Sequence, residues 1–194
     1  MKPTRFESAI ILIDNKNSED INTYQVYGLE ISKELLYSQR MSQKLLQFEP
    51  QASEELQIAA RAQHIGRWKI ARDEYPMDRV GYLKWRETLK KMHAAMATDI
   101  LKEVDYDAEF IDRVSFLINK KLIKKDDGSQ TLEDVICLVF LEYYFEEFAE
   151  KHEDDKVIDI LQKTWVKMSD KGHDAALKIS FSEKSLSLIK RAIA

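Results

Sequence analysis

Apolar residues recur every three or four positions through most of this chain, a spacing that predicts helices. Phe6–Ile13 reads as a short helix, closed by the polar run Asp14-Asn15-Lys16-Asn17-Ser18. Residues 19–33 show no clear period, with Gly28 as a turn. From Glu34, residues Leu35, Leu36, Met41, Leu45 and Leu46 mark one face of a helix that reaches Phe48 and stops at Pro50. Ser53 offers a capping hydroxyl, and Glu54 and Glu55 place acids at the positive end of the next helix, which fades at Gly66. Residues 67–80 form a connector rich in Arg and aromatics, broken at Pro76. Two helices follow, over about Asp78–Glu103 and Asp107–Lys121, and Asp126-Asp127-Gly128-Ser129 reads as a turn. The stretch LEDVICLVFLEYYFEEF is apolar nearly all round, as expected of a central buried helix. Val157–Met168 and about Asp174–Ile179 are the next helices, and the tail from about Ser182 reads as a frayed C-terminal helix. The expected fold is therefore all-α: a single-domain, compact multi-helix bundle over residues 1–194, with its core at about 6–179.

Composition sharpens this picture. Only 5 Gly and 3 Pro occur in 194 residues, too few for the many tight turns of a sheet protein. A net charge of −4 speaks against general DNA coating, which needs a basic field. The lone Cys137 can close no intrachain disulfide, which suits a reducing, cytoplasmic setting. No stretch approaches a membrane span, and the apolar part of MKPTRFESAIILIDNKN is too short for a signal peptide.

Two features carry candidate chemistry. His64 in AARAQHIGRW and His93 in LKKMHAAMA lie in helical surroundings of small apolar residues. Glu133 and Asp134 open the most buried helix, and Glu34 opens an earlier one. Two neutral imidazoles and a carboxylate from separate helices suit a divalent transition metal such as Mn, Fe, Co or Zn. The plainer alternatives are packed helical histidines and ordinary N-terminal acids. His152 and His173, in charged surroundings, read as surface residues.

The second feature is the segment Arg61–Arg86, where Arg61, Arg67, Arg72, Arg79 and Arg86 alternate with Trp68, Tyr75, Tyr82 and Trp85. Guanidinium forks grip phosphate or carboxylate, and aromatic faces accept bases, so the segment suits a phosphorylated small molecule, a nucleotide or an RNA. Pairing with Asp73 and Asp78, plus aromatic packing, is the alternative. Lys120, in NKKLIKKDD, is either a phosphate contact or part of a solvated loop.

The segments AARAQHIGRW, YPMDRVGYLKWR, QTLEDVICLVFLEYYFEEF and ILQKTWVKMS resemble the family catalogued as domain of unknown function 4202, over Phe6 to Ile179. A more distant resemblance is to the HD superfamily of helical metal phosphohydrolases. There a His-Asp pair ends one helix, further histidines follow, and an aspartate opens a later helix. His64, His93 and Asp134 follow that order, and YDAEFIDRVSFLI resembles the intervening helix. Ile65 stands where the pair has its aspartate, no histidine precedes His64, and Asn119-Lys120-Lys121 lies where another histidine is common. The resemblance thus implies either a site rebuilt from His64, His93 and Asp134 with Glu34 or Glu133, or a fold that has lost its metal.

Three functions follow from these readings. One is a metal-dependent hydrolase of a phosphorylated or nucleotide-like substrate, with Arg67, Arg79, Arg86 and Lys120 on the phosphate and Trp68 and Tyr82 beside it. Another is a non-haem iron oxygenase of a small molecule or a modified RNA base. The last is a metal-free nucleotide- or RNA-binding or scaffold protein.

Overall fold

Side chains that accept from free backbone N–H groups set many of the helix starts. In the computed structural model, which describes residues 2–193, Thr4, Ser53, Asp78, Asp107, Asp126 and Ser169 each cap a helix in this way. The described chain is all-α apart from one small hairpin. It divides into two compact units, the first ending at Lys121 and the second starting at Leu122.

The first unit holds α1 (Arg5–Ser18), β1 (Thr23–Val26), β2 (Leu29–Ser32), α2 (Lys33–Phe48), α3 (Glu54–Arg61), α4 (Arg79–Glu103) and α5 (Ala108–Ile118). Helix α1 does not end at the polar run. A buried stripe of Ala9, Ile13 and Asn17 at four-residue spacing carries it through to Ser18. The hairpin occupies the segment without clear period. Tyr27 and Gly28 both take positive φ, 50° and 80°, the primed turn that joins twisted antiparallel strands through two residues. The connector folds as two single 3₁₀ turns, Arg67–Lys69 and Arg72–Glu74. Helix α4 buries Gly81, Trp85, Leu89, His93, Ala97 and Leu101, one residue in every four. That stripe sets a histidine in the middle of an otherwise apolar packing face.

The second unit holds α6 (Asp127–Tyr143), α7 (Phe145–Glu150), α8 (Asp154–Lys167), α9 (Asp170–Ala176) and α10 (Glu183–Ile193). Asp126–Ser129 is not a free turn: the Asp126 carboxylate accepts from Ser129 N and starts α6 there. Consequently Glu133 and Asp134 stand in the second turn of α6 and not at its entrance. The C-terminal helix expected after residue 182 is present as α10, and instead of fraying it buries Ser185, Leu188, Ile189 and Ala192 and packs on α8. His152 and His173 are half-buried, and His173 stacks on Trp165 at 4.0 Å between centroids. No described helix is long and apolar enough to cross a membrane.

Candidate functional site

The chain after α3 turns through Gly66 at φ +71°, where an added Cβ would lie 2.6 Å from Met96 Sδ. The left-handed backbone is what favours glycine here, and a Cβ would in addition oblige the flexible end of Met96 to move. This turn delivers three groups to one place: the His64 ring, the Ile65 carbonyl and the Arg67 guanidinium.

The Ile65 carbonyl accepts from His93 Nδ1 at 2.6 Å. A carbonyl can only accept, so the Nδ1 carries the proton and Nε2 keeps its lone pair. His93 is 2 % exposed, and its Nε2 has no hydrogen-bond partner. The His64 ring centroid lies 6.0 Å from that of His93. His64 is stacked on Tyr37, 4.0 Å away and nearly parallel at 10°, with its Nδ1 3.3 Å from Glu34 Oε2. Glu34 Oε1 is 3.8 Å from Arg67 Nε, and the Glu34 backbone N–H donates to Asp20 Oδ2 at 3.2 Å.

Burial governs the protonation of this cluster. It pushes the Glu34 carboxyl up to about 7, with the Asp20 charge adding and Arg67 opposing. It holds His64 well below the usual imidazole range, and Arg67, Lys120 and Arg86 lower it further. His93 is carried down to about 3 by burial and by the neighbouring His64. Both rings are therefore neutral near pH 7, with Glu34 poised to give or take a proton.

The cationic segment separates into structural and site-facing members. Arg61 makes a bidentate pair with Asp14, at 2.7 and 2.6 Å. Arg72 spends its donors on the carbonyls of Tyr75, Pro76 and Asp78, and Asp78 caps α4, so the Arg–Asp pairing within the connector gives way to main-chain bonding. Arg67 lies 4.8 Å over Trp85, whose Nε1 donates to the Ile70 carbonyl. Arg86 is 5.7 Å from the ring of Tyr82, which is 43 % exposed. Arg67, Arg86 and Lys120 all act on His64. Trp68 is half-buried in the first 3₁₀ turn, and Arg79 is exposed at the start of α4.

Glu133 and Asp134 belong to the second unit. Asp134 Oδ1 accepts from Ser169 N at 2.8 Å and from Gln130 Nε2 at 3.1 Å, and Oδ2 accepts from the Ser169 hydroxyl at 2.6 Å. This carboxylate ties α6 to the start of α9, where a Cβ on Gly172 would come within 2.5 Å of Oδ1. Glu133 is buried, with Lys167 Nζ 3.9 Å from its Oε1.

Among the described residues no three His, Cys, Asp or Glu side chains are placed to hold a metal ion by themselves. The sequence reading singled out Glu34, His64, His93 and Arg67, which the first unit brings together. It passed over Tyr37 and Asp20, which meet His64 and Glu34 there. No curated protein and no solved structure matches the chain. A family model does match, over residues 7–189, and the chain belongs to that family, described as Domain of unknown function (DUF4202).

Proposed function

We propose that this protein is a metal-dependent hydrolase of a phosphorylated or nucleotide-like substrate, acting at the Glu34–His64–His93 cluster. One observation carries the reading: a buried imidazole, fixed in one tautomer by the Ile65 carbonyl, keeps a lone pair without a partner at Nε2. A buried polar atom left unpaired costs about 1–3 kcal/mol, so it is met by water, an ion or a polar ligand, and the charged groups around it favour an ion or ligand here. Backbone-anchored, neutral imidazole is also the form in which histidine binds metals.

A divalent transition metal would be held through His93 and His64 with Glu34 beside them, and when bound it supplies an activated water at neutral pH. The protein's own residues do the rest. Arg67, Arg86 and Lys120 gather an anionic group next to His64, and fixed cations of this kind stabilise charge that develops on a phosphoryl oxygen. Glu34 holds or releases a proton near pH 7, as a general acid or base must. Tyr37 keeps the His64 ring in plane, and the exposed Tyr82 offers a face for a base or sugar.

The test is metal analysis of protein purified without a chelating tag, together with hydrolysis of a panel of nucleoside and sugar phosphates. Manganese, cobalt or zinc with turnover that fails in His93→Ala supports the reading. Iron with dioxygen uptake would replace it by the oxygenase. Turnover that ignores both chelator and His93→Ala would refute it. A second reading, metal-free binding of a nucleotide, is favoured by the want of three ready His, Cys, Asp or Glu donors among the described residues. It predicts nucleotide binding that chelators leave unchanged.

A further inference from the structure

Helix α10 packs on α8 and α7 through a face that includes the small residues Ser185 and Ala192. Beside that contact the second unit keeps a cavity of about 50 Å³, walled by Leu141, Leu161, Trp165, Ala176, Phe181 and Ile189. Thr164 lines it too, but its hydroxyl donates to the Ile160 carbonyl at 2.8 Å and is not available to a guest. One face of the Trp165 ring is already covered by His173, stacked at 4.0 Å. An apolar hole of this kind stays dry and takes apolar guests.

The hole is not sealed. Leu177 and Leu186 both line it, and they are 62 % and 40 % exposed. Leu186 also borders an open cleft of about 450 Å³, which it shares with Glu183, Ser187, Lys190 and Arg191. Lys190 stands one turn beyond Leu186 on α10, exposed, and makes no hydrogen bond or ion pair with its side chain among the described residues. Arg191 is bonded to Asp154 at 2.8 Å, and Glu183 lies two turns before Lys190, which leaves the Lys190 end of the cleft cationic. From Ala176 to Ile193 the chain carries Lys178, Lys184, Lys190 and Arg191 against that one acid. The whole chain has a net charge of −4, so this end reverses the sign locally.

Size and charge together select the guest. Apolar cavities of about 150 Å³ admit a benzene ring. One of about 50 Å³ admits the end of a single aliphatic side chain and no long acyl chain. The cations beside its mouth favour acids next to that side chain. We propose that the cavity is a docking site for an acidic protein segment, which inserts one aliphatic side chain between Leu177 and Leu186 and sets a flanking Asp or Glu carboxylate against Lys190. An anchor residue in a pocket, bordered by a charged rim, is how small interfaces gain most of their affinity. The site lies wholly in the second unit and does not depend on the hydrolase reading.

The experiment pans a random nine-residue peptide library against the full chain, then titrates the enriched peptide by calorimetry. That peptide should carry a Leu, Ile or Val flanked by acids. Replacing its aliphatic residue by Ala, or filling the cavity with Ala176→Leu, should each weaken binding about tenfold or more. Lys190→Glu should weaken it about three- to fivefold, most at low salt. Should Ala176→Leu fail to fold, the exposed Lys190→Glu and the Ala-substituted peptide carry the test. No enriched sequence, an enriched sequence lacking the aliphatic residue or the acids, or affinity unchanged by these substitutions overturns the proposal. Dodecanoate that displaces the peptide, or a dimer of the chain alone that Ala176→Leu abolishes, also overturns it, in favour of an acyl ligand or a second copy.

Discussion

His93 and Asp134 are equally buried, each 2 % exposed, and each was picked from the sequence as a metal ligand. Their surroundings differ. In the second unit, Asp134 has bonds to both oxygens: two donors from Ser169 and one from Gln130. In the first unit, His93 spends one nitrogen on Ile65 and keeps the other bare. The Asp134 carboxylate is satisfied by protein donors, whereas His93 Nε2 has no protein partner, and a buried atom of that kind is met by water, an ion or a ligand. Residue type could not separate the two, and the partner inventory does.

Four measurements bear on that contrast. Asp134→Ala should have the largest effect, lowering stability by about 3 kcal/mol or more, since three hydrogen bonds to a buried charge are lost. If the variant instead stays folded and loses its metal, Asp134 is a ligand and the contrast fails. Ser169→Ala should cost about 2–3 kcal/mol in urea unfolding, as it removes the hydroxyl that both meets Asp134 and caps α9 at Gly172 N. Gly66→Ala should cost about 2 kcal/mol through its left-handed backbone and the Met96 contact, and should also disturb His64 and Arg67. An unchanged melting temperature there would show that the turn is not what holds those groups.

The smallest effect is a pH dependence in metal-free protein. The folded value of Glu34, about 7, lies above its unfolded value of 4.5, so folding favours the protonated form. That contribution is complete below pH 4.5 and is lost as the pH rises toward 7. Relative to wild type, Glu34→Gln should therefore gain stability over this window, by on the order of 2 kcal/mol after allowing for residual solvent access. A gap between the two proteins that stays constant from pH 5 to about 7.5 would rule out a raised Glu34.

The sequence displayed its helices well because their apolar spacing is regular. Helices α2 and α4 fall close to where Leu36, Met41, Leu45 and the Asp78 cap put them. The hairpin was hidden because two four-residue strands, joined through an exposed Tyr27 and with Leu29 exposed, carry too little alternation to stand out. The C-terminal helix was expected to fray, because its buried face includes Ser185 and Ala192 beside only two large apolar residues; packing against α8 keeps it ordered. In the site, His64 and His93 were visible as rare residue types in an apolar setting. Outside the site, the burial of Asn17 was missed, because a polar residue after Asp14 and Lys16 reads locally as a helix end.

The bond from His93 Nδ1 to Ile65 makes the imidazole a relay across the fold. Positive charge placed on one nitrogen of the ring makes the N–H on the other more acidic, which shortens and strengthens its hold on the carbonyl. A cation bound at Nε2, if the proposed site holds one, would be felt through Ile65 on residues 62–70, the strip bearing Arg67 and Trp68. Slower amide exchange across that strip on loading, with the hairpin unaffected, would be its signature.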